Sequence, residues 1–252
     1  MSLNEIFPNP TVKNVIFQIR FPSLFSMDSL VGDYQLRIME MFPKSELFVG
    51  KRLYFGELPT SGKIEDVSDD ETIIKKIWRF TTESGILLNV QVDSLDISST
   101  VHKTYDNRRG KERFRDLIQF GVDNFLEVAQ IPKINRIGLR YIDECPVPSK
   151  GNVSFRKYYN TSLPIKRFPL KSATNMSFSA GVKKGEHFLT FREVFEAEGD
   201  KLKLVLDFDG YATNIKAADY LSVTDDLHKL ISDEYEASIR EPVYRYMRRK
   251  RS

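Results

Sequence analysis

Phe17-Gln18-Ile19-Arg20-Phe21 and, 120 residues on, Ile137-Gly138-Leu139-Arg140-Tyr141 are the two stretches on which the reading of this chain turns. In both, apolar side chains occupy alternate positions, the period of a strand that buries one face. Superposed, Ile19, Arg20 and Phe21 meet Leu139, Arg140 and Tyr141. Two further segments repeat in the same order. Leu88 to Leu95 matches Leu204 to Tyr211 at an offset of 116, and Glu112 to Leu126 matches Asp225 to Ile239 at an offset of 113. The second match pairs Phe114, Leu117, Ile118, Val122 and Leu126 with Leu227, Leu230, Ile231, Tyr235 and Ile239. Three ordered matches with slowly drifting offsets predict an internal duplication.

The elements between these anchors follow from periodicity and breakers. After Pro22, the residues Leu30, Val31, Tyr34, Ile38, Met41 and Phe42 fall on one helical face, with Ser26 as a possible cap and Pro43 as the stop. Extended segments are predicted near Val49–Glu57, Ile73–Thr82 and Ile86–Val101, the last two forming a hairpin over Glu83-Ser84-Gly85. An amphipathic helix from about Lys111 to Ala129 ends before Pro132. The expected fold is therefore α+β: two tandem β-α-β-β-β-α repeats, residues 1–132 and 133–252, joined into one curved antiparallel sheet with helices on one face. That arrangement is similar to the TATA-binding-protein class of architecture. In the second repeat, prolines and a glycine between Asp143 and Lys171 leave an irregular loop with at most a short helix near Phe155–Tyr159.

Composition narrows the setting. Hydrophobic residues make up 41% of 252 and aromatics 12%, enough to build a core rather than a disordered chain. Cys145 is the only cysteine, so no internal disulfide framework exists and a reducing, cytoplasmic compartment is expected. No secretory signal or membrane-spanning stretch is read from the sequence. The formal charge is +3, but Arg245, Arg248, Arg249, Lys250 and Arg251 supply +5, which leaves about −2 for the rest. The body of the protein is thus not basic, which weighs against simple nucleic-acid binding. The basic tail, interleaved with Tyr244 and Tyr246, reads either as a nucleic-acid contact or as a solvated, frayed helix end.

If Phe17, Ile19, Phe21, Leu139 and Tyr141 face the helices, alternation sends Gln18, Arg20, Gly138 and Arg140 to the other side. Asn89, Gln91 and Asp207, with Lys203 and Arg192, would join them. Gln18, Arg20, Gly138, Arg140, Asp143 and Asp207 are therefore the candidate binding residues. The arginines could grip a phosphate, a carboxylate, a nucleic-acid strand or a protein partner. Alternatively they pair with Asp93, Asp143, Asp207 or Asp209 as an ordinary sheet surface. His228, near Asp225 and Asp226, could act as a base, but no nucleophile is tied to it and a capping or packing role is the simpler reading. His102 and His187 lack ligand-spaced companions. Glu193, Glu196, Glu198 and Asp200 read as a charged hairpin rather than a metal centre. No phosphate-binding glycine loop, nucleophile elbow or dinucleotide fingerprint occurs, so no cofactor, metal or catalytic residue is assigned.

At Arg136-Ile-Gly-Leu-Arg-Tyr-Ile-Asp143 the chain resembles a sporadically distributed family of uncharacterised bacterial proteins, whose usual form of this strand ends in Asn where this chain has Asp143. The resemblance extends to Val12–Phe21, Phe42-Pro43, Trp78-Arg79-Phe80, Tyr105, Leu204–Asp209 and the helix around Leu227–Ile231. Family members commonly show His-Glu with a later aromatic there, and this chain has His228-Lys229 with Tyr235. The resemblance implies a bacterial protein, with a mobile-element or defence context hinted by patchy distribution, and carries over no catalytic residues. The expected function is a cytoplasmic binding or adaptor protein that engages a protein or nucleic acid through its polar sheet face or the 143–171 loop. The alternative is a phosphate-handling hydrolase or nuclease in which Arg20 and Arg140 bind the anion and Asp143, Glu144 or Asp207 acts on it.

Overall fold

A computed structural model of the chain describes residues 6–52, 73–102, 104–106, 113–149, 151–198 and 201–249. Its frame is one open antiparallel sheet of nine strands in the order β2-β3-β4-β5-β1-β6-β9-β8-β7. The strands are β1 (Val12–Arg20), β2 (Lys44–Arg52), β3 (Ile73–Thr81), β4 (Leu87–Gln91), β5 (Ser94–Ser99), β6 (Lys133–Cys145), β7 (Asn175–Lys184), β8 (His187–Glu198) and β9 (Lys201–Lys216). The helices are α1 (Met27–Ile38), α2 (Phe114–Ala129), α3 (Asn152–Tyr158), α4 (Tyr220–Ser238) and α5 (Glu241–Arg248). No helix among the described residues is long and apolar enough to cross a membrane.

The two strands quoted first lie side by side at the centre, with Phe17 opposite Leu139 and Gln18 opposite Gly138. Val15, Phe17, Ile19, Ile137 and Leu139 are buried beneath the helices, as alternation predicts. Helix α2 approaches the sheet so closely that a side chain on Gly121 would touch Ile97 at 3.0 Å and Leu88 at 3.2 Å. Tyr34 of α1 ties the two helices together by donating to the Gly121 carbonyl at 2.9 Å. On the other half α4 sits over Gly210, whose missing side chain leaves room for Ile231 and Leu227. Gln130, at a φ of 50°, ends α2 in the left-handed conformation before Pro132.

Three differences from the sequence expectation have physical causes. The segment expected as one strand over Ile86–Val101 is two strands, because Val92 and Asp93 form a tight turn between β4 and β5. Among the described residues the first half therefore has four strands after α1; the strand expected near Val49–Glu57 is found as Lys44–Arg52, and residues 53–57 lie outside the described residues. Helix α4 starts at Tyr220, so His228 occupies its third turn and cannot cap it. Helix α5 is docked rather than frayed. Val243 and Met247 are buried, and the Asn9 N–H donates to the Met247 carbonyl at 3.0 Å.

The 143–171 segment is also well packed. Asn152 clasps it from within, donating to the Ile165 carbonyl at 2.6 Å and accepting from the Leu170 N–H at 2.9 Å. Leu163, Ile165 and Leu170 are buried. Buried Glu193 accepts from Thr161 Oγ1 at 2.5 Å and from the Ser162 N–H at 2.9 Å, which fixes the segment over β8. Burial pushes the Glu193 carboxyl up, against the lowering effect of these donors. Glu196 lies on the opposite face of β8, so the acidic run is split between two environments. Asp200 lies outside the described residues.

Candidate functional site

The sheet presents two chemically distinct sites, one on each face. On the face away from the helices, Arg140 makes a two-pronged contact with Asp207, Nε to Oδ1 and Nη2 to Oδ2, both at 2.7 Å. Arg192, opposite Asp207 across β8 and β9, adds a third bond at 3.0 Å. Asp207 is the buried member of this triad, and the hydrogen bond to it raises the Arg140 guanidinium further above its ordinary value. Nearby Arg136 donates to both oxygens of Asp209 at 3.1 Å.

Gly138 has a specific use here. A side chain at that position would collide with the Arg136 guanidinium, so the glycine lets the arginine fold across the strand. Arg136 then lies 4.7 Å above the Tyr211 ring, and Tyr211 stacks on Phe188 at 5.1 Å. Lys183 continues the row at 5.9 Å from the Phe188 ring. On the first half, Arg79 donates to Asn89 Oδ1 at 2.9 Å, and Asn89 donates to Asp96 at 2.8 Å.

The predicted residues do not all gather on this face. Gln18, Arg20, Gly138, Arg140 and Asp207 are there. Arg20 stands opposite Arg136 rather than Arg140 and donates Nε to Gln18 Oε1 at 2.8 Å. Asp143 is on the helix side instead. It shares the parity of Leu139, Tyr141 and Cys145, so alternation buries it under α4. Arg136, Tyr211 and Phe188 were missed as members of the open face, although Arg136 and Tyr211 alternate in phase with Arg140 and Asp207. In the tail, Arg245 and Arg248 are exposed on α5 and Arg249 just after it, with Arg248 3.6 Å from Glu241 and against the Tyr244 ring. Lys250 and Arg251 lie outside the described residues.

Asp143 opens into the second site, a pocket of about 90 Å³ between the sheet, α4, α5 and the segments around Thr11 and Tyr105. A bulge in β1 between Val12 and Asn14 brings Val12 opposite Asp143 and turns the chain entering the strand toward the helix side. Thr11 donates to Asp143 Oδ1 at 2.8 Å, so its 2.6 Å contact with Tyr235 is one in which the tyrosine donates. Burial pushes the Asp143 carboxyl up to about 7, only partly offset by Thr11 and reinforced by Asp207 across the sheet.

Beside it, Tyr141 contacts His228 Nδ1 at 3.3 Å, and Tyr105 stacks flat on the imidazole at 4.1 Å. Burial lowers His228 to about 4 despite Asp106 and Asp225, so the ring is neutral at physiological pH. With Tyr141 donating to Nδ1, the proton resides on Nε2, toward Ser232. Tyr105 is oriented from behind: it donates to Asp225 at 2.7 Å, and Arg115 grips the same carboxylate at 2.7 and 2.8 Å. Burial would raise Asp225, but the bonds from Arg115 and Tyr105 outweigh it and hold that carboxyl below its ordinary range. The signals for this pocket in the sequence were an aspartate in phase with a buried strand face and a histidine in phase with Leu227, Ile231 and Tyr235.

Among the described residues no three His, Cys, Asp or Glu side chains gather to hold a metal ion. Comparison with protein-family models, curated proteins and solved structures finds no match.

Proposed function

We propose that the protein is a binding or adaptor module that engages a protein partner through the open face of its sheet. The observation that carries this reading is the row Arg136, Tyr211, Phe188 and Lys183, an arginine and aromatic strip bordered by cations already matched with anions. Arg140 and Arg192 are committed to Asp207, Arg136 to Asp209, and Lys203 lies 4.0 Å from Glu196. A phosphate backbone would have to displace those carboxylates, whereas a protein surface can meet aromatic, arginine and paired-charge groups together. The phosphate-hydrolase alternative loses support for the same reason. The carboxylate expected to act, Asp207, is held by two arginines, and Asp143 lies on the other side of the sheet.

This reading keeps the family resemblance, a bacterial cytoplasmic setting and the duplication as parts of one proposal. The β1 and β6 register supports the duplication. Gln18 lies opposite Gly138, and these positions are 120 residues apart, as in the sequence match. Leu95 faces Ile19 on β5 and Gly210 faces Leu139 on β9, so the next strands correspond at 115 rather than 116. Two such units would give the TATA-binding-protein-like architecture, with the first carrying one extra edge strand.

The test is affinity capture from a bacterial host with wild type, Tyr211→Ala and a tail variant lacking the charges of Arg245, Arg248 and Arg249. A partner retained by wild type and the tail variant but lost with Tyr211→Ala is the expected result. Tight, strongly salt-dependent binding to oligonucleotides, unaffected by Tyr211→Ala, would overturn it.

A further inference from the structure

Three buried or half-buried carboxylates of the core region can be compared by what stands beside them. Asp207 and Asp225 each have an arginine, while among the described residues Asp143 has only the Thr11 hydroxyl. Asp143 is nonetheless 5% exposed and opens into a pocket. That pocket is lined by five aromatic rings, those of Phe7, Tyr105, Phe114, Tyr141 and Tyr235, and by a second carboxylate, Asp106. Among the described residues no lysine or arginine lines it.

We infer that this pocket binds a small organic ammonium ion, its charge beside the Asp143 carboxylate and its alkyl surface among the tyrosine and phenylalanine rings. The argument is one of complementarity. A buried carboxylate without a cation is costly, and a ligand that supplies the cation relieves that cost. Aromatic walls add attraction for an ammonium group and shelter its alkyl substituents. An anion would be repelled by Asp106 and Asp143 together. A neutral ligand leaves the carboxylate without a counter-charge, and a bare metal ion would need a larger ligand set than the described residues gather. The volume of about 90 Å³ suits a group of a few non-hydrogen atoms.

Ionised Asp143 is the form that binds such an ion, so binding should strengthen with pH. The titratable groups that face it or share its pocket are Tyr141 and Cys145 on its own strand, Tyr235 and His228 on α4, His102 and Tyr105 between β5 and α2, Asp106 at the rim and Asp207 across the sheet. Of the two histidines, His228 is neutral at neutral pH, and His102 is tied to Ser99 through Nδ1 at 2.8 Å. With Asp143 near 7, affinity is expected to fall about tenfold between pH 8 and pH 6.

The experiment titrates the full chain with methylammonium, tetramethylammonium and choline chlorides, against sodium chloride at matched ionic strength. It uses calorimetry and amide chemical shifts, with 3,3-dimethylbutan-1-ol as the uncharged shape mimic of choline and acetate as the anion. The expected result is saturable binding of at least one ammonium ion at pH 8, with shifts at Thr11, Tyr105 and His228, a fall on acidification, and at least a tenfold loss in Asp143→Asn. Lys44→Ala, on the edge strand β2 and paired with Glu83, should bind as wild type does. Equal binding of the uncharged mimic, unchanged affinity in Asp143→Asn, or no saturable ammonium binding at tens of millimolar would each overturn the inference. The pH and mimic arms use wild-type protein, so they decide the matter even if Asp143→Asn folds poorly.

Discussion

Asp207 and Asp143 are buried to nearly the same degree, 6% and 5% exposed, on opposite faces of the same sheet. Two arginines hold the first with three hydrogen bonds, while one threonine hydroxyl holds the second. Burial alone therefore does not decide what a carboxylate does. The open face uses its carboxylate to anchor guanidinium groups in place. The helix face leaves its carboxylate poised near neutrality in a cavity, where small changes in pH or a cationic ligand alter its charge.

The sharpest way to break this contrast is to add bulk on each side. Gly210→Val places a side chain against Ile231, at 3.2 and 3.3 Å, and should cost about 3 kcal/mol in denaturant unfolding because α4 must shift. Gly138→Ala on the open face displaces only the end of Arg136 from Asp209 and Tyr211, and should cost about 1 kcal/mol. Comparable losses in both would mean that the open face is as tightly packed as the helix face.

Titration sharpens the contrast next. Asp143 is raised from 3.8 to about 7, so its stabilising contribution is fully present below its ordinary value and is lost as pH rises through 7. His228 is lowered from 6.5 to about 4, so its contribution is present above 6.5 and is lost as pH falls through 4. Between pH 4 and 6.5 the two slopes oppose, and together they should leave unfolding free energy nearly level. Asp143→Asn should unmask the histidine, giving stability that climbs with pH by a few kcal/mol, and should stabilise the protein at pH 8 by about 2 kcal/mol. His228→Gln should give the opposite slope. Parallel pH curves for wild type and both variants would contradict the assigned shifts.

A smaller loss is expected on the open face. Asp207→Asn leaves Arg140 and Arg192 without their charge partner and should cost about 2 kcal/mol, reduced from a fully buried case because both arginines are partly solvated. Smallest of all, Arg20→Ala removes only an exposed contact to Gln18 and should change stability by less than about 0.5 kcal/mol. A larger change in thermal unfolding would show that Arg20 supports the sheet in a way its hydrogen bond does not explain.

The central pair of strands was legible because their alternation is strict over many residues, which fixed both the buried and the open faces. The β4 to β5 turn was not, because Val92-Asp93 contains neither glycine nor proline and the apolar pattern runs through it. That turn also reverses the parity of the residues after it, so Leu95 is buried while Tyr211, aligned with it by sequence, lies on the open face beside Phe188. An aspartate is ordinarily a surface residue, which points Asp143 to the open face, but its spacing from Leu139 and Tyr141 puts it on the buried one. The pocket itself could not be read from local pattern. Its walls come from residues near 7, 105, 141, 228 and 247, brought together only by tertiary packing.

The bond from the Asn9 N–H to the Met247 carbonyl has a kinetic consequence. It joins positions separated by almost the whole chain, so it forms only after residues near 247 have been synthesised and α5 has docked. Thr11 and Met247 both line the cavity, which makes the pocket a late product of folding, completed after the sheet that supports it. A protein caught before that step would already present its open face, while the cavity around Asp143 would still lack its α5 wall.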